Sequence, residues 1–163
     1  MDAAQATARD SYVLLQVGNR RFALRADIVS ELAPAVRLHN FPHATPLVVG
    51  VIVRRGRIVP VYDVAPVLLG RGSSVHRFYL IARRQFGNAT EASAIPVTGE
   101  CELASGEAHP PEMGRQRYIA GTLPVGSEDV DVLDLDVLLT SAPVSPSREI
   151  HRTSNASATE AQS

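Results

Sequence analysis

Five histidines, one cysteine and an alternating run of aspartates are the residues of this 163-residue chain whose types invite a chemical reading. His39, His43, His76, His109 and His151 fall in no H-E-x-x-H, H-x-H or cysteine-linked spacing, the patterns that bring several ligands onto one metal ion. His39 and His43 are four positions apart, but Phe41-Pro42 bars the helix that would set them on one face. Cys101 stands between Glu100 and Glu102, whose charges raise a thiol's pKa, the wrong direction for a nucleophile. Asp129, Asp131, Asp134 and Asp136 suggest a cation site, yet strand alternation and helix caps account for them too. There is no G-x-S-x-G, no P-loop and no G-x-G-x-x-G, and Gly70-Arg71-Gly72 alone is a poor phosphate cradle. The residues therefore predict no enzyme, no metal and no cofactor.

The elements that must position any other site read mainly as strands. Tyr12-Val13-Leu14-Leu15-Gln16-Val17 is a first strand, Gly18-Asn19-Arg20 a tight turn, and Arg21-Phe22-Ala23-Leu24 the return. Asp27 is placed to cap a short helical turn over 28–32, after which Pro34 favours an extended segment reaching Phe41-Pro42. Residues 47–53 are almost wholly apolar and β-branched, the pattern of a strand buried on both faces, with Gly50 marking a bulge or a close backbone approach. Arg54-Arg55-Gly56-Arg57 is a hairpin tip, and Ile58-Val59-Pro60-Val61-Tyr62 returns, with Pro60 expected at an edge or bulge. Asp63 caps a short helix over 64–69 that stops at Gly70. After a linker, Arg71-Gly72-Ser73-Ser74, come strands at Phe78-Tyr79-Leu80-Ile81-Ala82, more weakly at Ala94-Ile95-Pro96-Val97, then at 118–123 and 130–133, and a helix over 135–139 capped by Asp134. The two halves rhyme: Val59-Pro60-Val61-Tyr62-Asp63-Val64 and Val130-Asp131-Val132-Leu133-Asp134-Leu135 each run strand, aspartate, short apolar helix. Two similar small barrels packed together are the expected architecture.

Composition sets the outer bounds. A chain of this length with 45% hydrophobic residues buries a core without disulfides or metal, and a lone cysteine demands no oxidising compartment. All 16 basic residues are arginine, which reads as a compositional habit of the genome. Residues 1–10 and 141–163 are polar and Ala- or Ser-rich and are expected to be disordered, leaving 11–140 folded. There is no signal peptide and no apolar run of membrane-spanning length, so the cytoplasm is the expected compartment. The net charge of −1 hides a split: 12 arginines against five acids give +7 through Asn88, and four arginines against 12 acids give −8 after it. Such asymmetry predicts electrostatic pairing, between the halves or between neighbouring molecules aligned head to tail.

Phe22-Ala23-Leu24, Ile28-Val29-Ser30-Glu31-Leu32, Phe41-Pro42-His43-Ala44, and the run from Gly50 through Arg55-Gly56-Arg57-Ile58-Val59-Pro60 to Asp63 together resemble the CheW family of chemotaxis coupling proteins. The family pattern runs roughly Gly-Val-Ile-x-x-Arg-Gly-x-Ile-x-Pro-x-x-Asp-Leu after a Val-x-Glu-Ile segment. Tyr118-Ile119-Ala120-Gly121 and Val132-Leu133-Asp134-Leu135 resemble its closing strands more loosely, so the resemblance covers about 12–140. The chain departs from the pattern at Val53-Arg54, where the family usually has Asn-Leu, and at Thr45-Pro46, where a proline is displaced. The resemblance implies a mainly β fold of two intertwined five-stranded barrels of the Src-homology-3-like kind, split about 11–72 and 73–140 with strands mixed between them. It also implies a non-catalytic adaptor that joins chemoreceptor tips to the regulatory domain of a CheA-type histidine kinase, at membrane-associated receptor arrays in which the adaptor also self-associates.

Carried over residue by residue, the resemblance places Val29, Gly50, Val51 and Ile52 in an apolar receptor groove between the barrels. Plain core packing is the competing reading for each. Arg55 beside the turn glycine is a long side chain at a hairpin tip, and Glu31 is the only acid between Asp27 and Asp63. A Glu31–Arg55 bridge would orient the guanidinium at the groove; otherwise it is a solvated surface pair. Two other classes stay open at this point: the same module in a pilus-motility or other kinase pathway, and a nucleic-acid-binding barrel using the +7 half. The last lacks the interleaved aromatics on which bases stack, so no nucleic-acid partner and no membrane insertion are expected.

Overall fold

Three apolar runs, Tyr12-Val13-Leu14-Leu15, Phe22-Ala23-Leu24 and Tyr79-Leu80-Ile81-Ala82, are buried at every position. A strand can hide both faces only where something packs on each side, and these strands lie at the centre of the molecule. The computed structural model describes residues 9–42, 46–72 and 76–141. The expected disordered termini fall mostly outside these residues, as do His43, His151, Thr45 and the Ser73-Ser74 end of the expected linker. The first strand begins at Asp10.

The ten strands are β1 (Asp10–Val17), β2 (Arg20–Arg25), β3 (Val29–Pro34), β4 (Val48–Arg54), β5 (Arg57–Tyr62), β6 (Phe78–Phe86), β7 (Ala89–Val97), β8 (Glu102–Gly106), β9 (Ile119–Val125) and β10 (Glu128–Leu133). Helix α1 (Ala65–Leu69) follows β5 and helix α2 (Leu135–Thr140) follows β10. They form two five-stranded sheets, ordered β8-β1-β2-β10-β9 and β3-β6-β7-β5-β4. Neither sheet is drawn from one half of the chain. The first two strands of each half join the sheet completed by the last three strands of the other, so the two units interlock. The halves join at the parallel pairs β2–β10 and β5–β7 and at the antiparallel pairs β1–β8 and β3–β6; every pair within a half is antiparallel. This is the expected mainly β fold with its two intertwined five-stranded units.

Alternation along the strands divides the core three ways. Tyr12 and Leu14 point into the first sheet's own core with Leu123, Val130 and Val132. Tyr79 and Ile81 point into the second's with Ile52, Val59 and Val61. The intervening residues, Val13, Leu15 and Val17 from β1 and Leu80 and Ala82 from β6, meet both helices in a third core shared by the two sheets. That shared core makes the sheets one body. Arg84, 8% exposed, adds a polar fastening: its guanidinium reaches the Tyr62 hydroxyl at 3.4 Å and lies 3.7 Å from Asp136 of α2.

The rhyme between the halves is structural. Gly50 and Gly121, Val51 and Thr122, and Asp63 and Asp134 are equivalent at one constant offset along the chain. β4 and β9 share one burial pattern, and each is bridged by a backbone pair to a histidine upstream, His39 with Val51 and His109 with Thr122. Asp134 caps α2 as expected, accepting the Val137 N–H at 3.2 Å, whereas the N-cap position of α1 is Val64 and Asp63, one residue earlier, accepts the Ala65 N–H at 3.1 Å from outside the helix. α1 ends at Gly70 in the left-handed conformation.

Several local expectations are corrected. The helical turn expected over 28–32 is only the 3-10 turn Ala26–Ile28; the chain continues as β3, because Val29, Leu32 and Ala33 pair along β6, and Asp27 makes no cap there. β4 is not buried on both faces: Val49 and Val53 are exposed while Val48, Gly50 and Ile52 face inward. Pro60 sits in an internal strand, but beside the β5–β7 ladder, which is registered only at Val61 and Ala94, so its missing N–H costs little. The weak strand at 94–97 is the end of nine-residue β7, and β8, whose polar sequence gave no signal, is an additional edge strand.

Candidate docking surface

The hairpin β4–β5 is built around three local constraints. A bulge lies between Val48 and Gly50, and the buried Gly50 packs so closely under the His39 carbonyl that a Cβ there would lie 2.5 Å from its oxygen. Only glycine admits that approach. The His39–Val51 backbone pair, 2.8 and 2.9 Å, then holds the segment before β4 against the strand. At the tip Arg55 has φ 51° and Gly56 φ 74°, so both residues of the two-residue turn are left-handed, as a hairpin whose twist matches its strands requires.

The tip meets the opposite edge of its own sheet through Glu31 of β3. Glu31 Oε1 accepts from Arg54 Nε at 2.6 Å and Oε2 accepts from Arg55 Nη2 at 2.9 Å. β3 and β4 are the two ends of the strand order, so this contact curls the sheet toward a barrel. The Arg54 hydrogen bond, aided by the charges of Arg54 and Arg55 and opposed by burial, holds the Glu31 carboxyl below the ordinary carboxylate range. The expected Glu31–Arg55 bridge is present, but Arg54 makes the shorter bond. Arg55 keeps 77% of its side chain exposed against 32% for Arg54.

Of the residues expected in a groove, Glu31 and Arg55 are brought together and Val51 lies half-buried on the outer face of β4. Val29 is half-buried against the shared core. Gly50 offers no side chain and sits beneath His39. Ile52 is fully buried among Ala33, Val59 and Val61, the place its core reading gives it. What sequence reasoning missed is the outward face beside the tip: Val49 at 44%, Val53 at 53% and Ile58 at 70% exposure, with Val53 directly opposite Ile58 in the ladder. A period of two separates these residues from the buried set, but β-branched residues on both faces of β4 hide it.

The reactive candidates resolve differently. Burial, rather than the neighbouring glutamates, pushes the Cys101 thiol up to about 11. Asp131 takes Arg20 and Arg115, Asp134 is a cap, and Asp136 lies near Arg84. Among the described residues no group of three or more His, Cys, Asp or Glu side chains is arranged to hold a metal ion, and no helix is long and apolar enough to cross a membrane. Part of the charge split is satisfied internally: Arg21 bonds Glu128 at 2.7 Å and approaches Glu102 at 3.4 Å, and Arg20 lies 3.6 Å from Asp131.

Comparison with known proteins adds three findings. Residues 11–143 match the CheW-like domain family. Among solved structures, the scaffolding protein TtCheW from Thermoanaerobacter tengcongensis superposes with a TM-score of 0.68 at 15% identity, over 85% of this chain and 92% of that one. No curated protein matches the sequence.

Proposed function

The chain belongs to the CheW-like domain family, a family of non-catalytic scaffold and adaptor modules, and on that premise we propose that it couples the cytoplasmic tips of chemoreceptors to a CheA-type histidine kinase in chemotaxis signalling. One observation carries this reading: the Glu31 carboxylate fastens the β4–β5 hairpin while Arg55 stays exposed beside the aliphatic residues Val49, Val51 and Val53. A helical receptor hairpin needs an aliphatic surface with a few polar groups that fix its register. In this reading Val29 and Gly50 shape the groove from beneath and Glu31 orients Arg55. The kinase's regulatory domain pairs with one barrel, the adaptor works in the cytoplasm at receptor arrays, and the residual charge asymmetry aligns neighbours there.

The test is co-purification with a CheA-type kinase and a receptor signalling fragment, with kinase activity measured in the presence and absence of this chain. The expected result is a ternary complex and receptor-dependent kinase activity. Arg55→Glu, at an exposed turn, keeps the fold and weakens receptor coupling. Wild-type binding of receptor and kinase by that variant would remove the assignment of Arg55.

A further inference from the structure

β1 and β6 hold the same place in their sheets, second in each strand order. Setting Tyr12 against Tyr79 brings Val17 against Arg84. Val17 packs in the shared core at 2% exposure. Arg84 puts a guanidinium at the corresponding position, and at 8% exposure it is the only charged side chain buried among the described residues. An apolar side chain there would stabilise the fold as well or better, so packing alone does not call for the charge. Tyr62, which accepts from Arg84 Nη1 at 3.4 Å and has its ring centre 6.0 Å away, is neutral. Asp136, 3.7 Å from Arg84 Nε, is 57% exposed, so water shares that carboxylate. A position where one half breaks the rule its sister strand obeys marks a site of use.

A cavity of about 230 Å³ opens beside Arg84, lined by Asp27, Ile28, Arg83, Arg84, Gln85 and Thr90. Arg83 brings a second guanidinium, and its Nη2 donates to the Asp27 carbonyl oxygen at 2.6 Å. A carbonyl orients the side chain without cancelling its charge. The Asp27 carboxylate is turned to Arg25, whose Nε and Nη2 donate to its two oxygens at 3.3 Å each. Thr90 stands opposite Gln85 in the β6–β7 ladder, so a hydroxyl and an amide share one wall. Glu91, opposite Arg84 in the same ladder, is exposed to water. None of the lining residues belongs to the β4–β5 hairpin or to the expected receptor groove.

We propose that this cavity binds a phosphate group, either as inorganic phosphate or as the monoester of a small molecule. Two guanidiniums offer the planar forks that match phosphate oxygens, one from a buried wall and one from the mouth. Thr90 and Gln85 supply neutral donors for the remaining oxygens. Size sets the limit on what enters. Sites that enclose a whole drug-sized ligand run to roughly 300–1,000 Å³. This smaller cavity holds the phosphoryl group alone, while the rest of an ester extends past the exposed Arg83 and Gln85. The occupied site ties the 3-10 turn Ala26–Ile28 to the β6–β7 hairpin.

The experiment titrates the full chain by calorimetry with inorganic phosphate and, separately, with adenosine monophosphate, sodium chloride holding the ionic strength constant. Saturable binding at a single site is expected, and the Arg84 Nε–H signal in the NMR spectrum should move with the same Kd. Binding of the monoester as tightly as phosphate, or more so, identifies an ester as the occupant; binding of phosphate alone identifies the free ion, and either result supports the site. Arg83→Gln, at an exposed position, is expected to keep the fold and weaken phosphate about tenfold, the loss of one charge-assisted pair. Thr90→Val should weaken it severalfold, and Arg57→Gln, on the other hairpin, should leave Kd unchanged. Heats that never saturate, an Arg84 signal that stays still, an unchanged Kd in Arg83→Gln, or an equal loss in Arg57→Gln would each overturn the proposal. No kinase or receptor enters this assay, so its outcome stands apart from the adaptor reading.

Discussion

Gly50→Ala tests how the docking face is held. A Cβ at Gly50 would lie 2.5 Å from the His39 carbonyl oxygen and 2.9 Å from two Leu38 side-chain carbons. Leu38 can turn aside, being 38% exposed, but the carbonyl is fixed by the two hydrogen bonds between His39 and Val51. The backbone must separate by the better part of an ångström, which strains or breaks both bonds. Overpacking of this kind costs about 1–3 kcal/mol and each lost hydrogen bond about 1 kcal/mol, so a loss of about 2–4 kcal/mol is expected. For a domain of this size that lowers Tm by roughly 6–12 °C. Two companions calibrate it. Gly121→Ala meets the His109 carbonyl oxygen at the same 2.5 Å, but its next contacts are 3.6 and 3.7 Å, so it should cost somewhat less. Gly56→Ala has nothing within 4 Å and costs only its left-handed backbone, about 1 kcal/mol. Urea and thermal unfolding by circular dichroism give the order, and hydrogen exchange at the Val51 amide reports the bridge itself. If Gly56→Ala proves the most costly, or if Val51 keeps its protection in Gly50→Ala, the close-approach reasoning is wrong.

Three further outcomes follow from the same geometry. Because the folded state holds Glu31 below its ordinary pKa, its contribution is present at neutral pH and lost as pH falls through the carboxylate range; Glu31→Gln should cost under about 1 kcal/mol at pH 7 and flatten the acid limb of a stability–pH curve, whereas a steepened limb would contradict the clamp. Ile52→Ala removes a fully buried side chain and should cost about 2–4 kcal/mol, while the folded fraction binds receptor fragment with unchanged Kd; a binding defect without a stability loss would return Ile52 to the surface. The Cys101 thiol, pushed up to about 11 by burial, should react with a disulfide reagent at pH 8 far more slowly than a free peptide thiol, and equal rates would show that the site is not sheltered.

Legibility differed by feature. The helix cap at Asp134 and the turn at Gly56 could be read directly, since each depends on residues within a few positions of one another. The Glu31–Arg55 pair was reachable through the spacing of charges and the family resemblance. Arg54's larger share was not, because it depends on how far sheet curvature brings β3 and β4 together. The facing of Val49, Val53 and Ile58 was not legible either, because a run of β-branched residues fits a strand buried on one face or on both.

Taken alone, the order of residues determined that this chain makes short strands, tight turns and two short helices, and that its halves repeat one plan. Those outcomes are local, governed by backbone preferences and hydrogen bonds a few residues long. Only the tertiary structure decided which strands lie inside. The exchange of the first two strands between halves puts Arg20 and Arg21 beside Glu102, Glu128 and Asp131, which neutralises part of the +7 and −8 split. It leaves the hairpin at Arg54, Arg55 and Arg57 with one carboxylate among them. Which charges remain unanswered is set by contacts between residues far apart in sequence, and these exist only once the two sheets have interlocked.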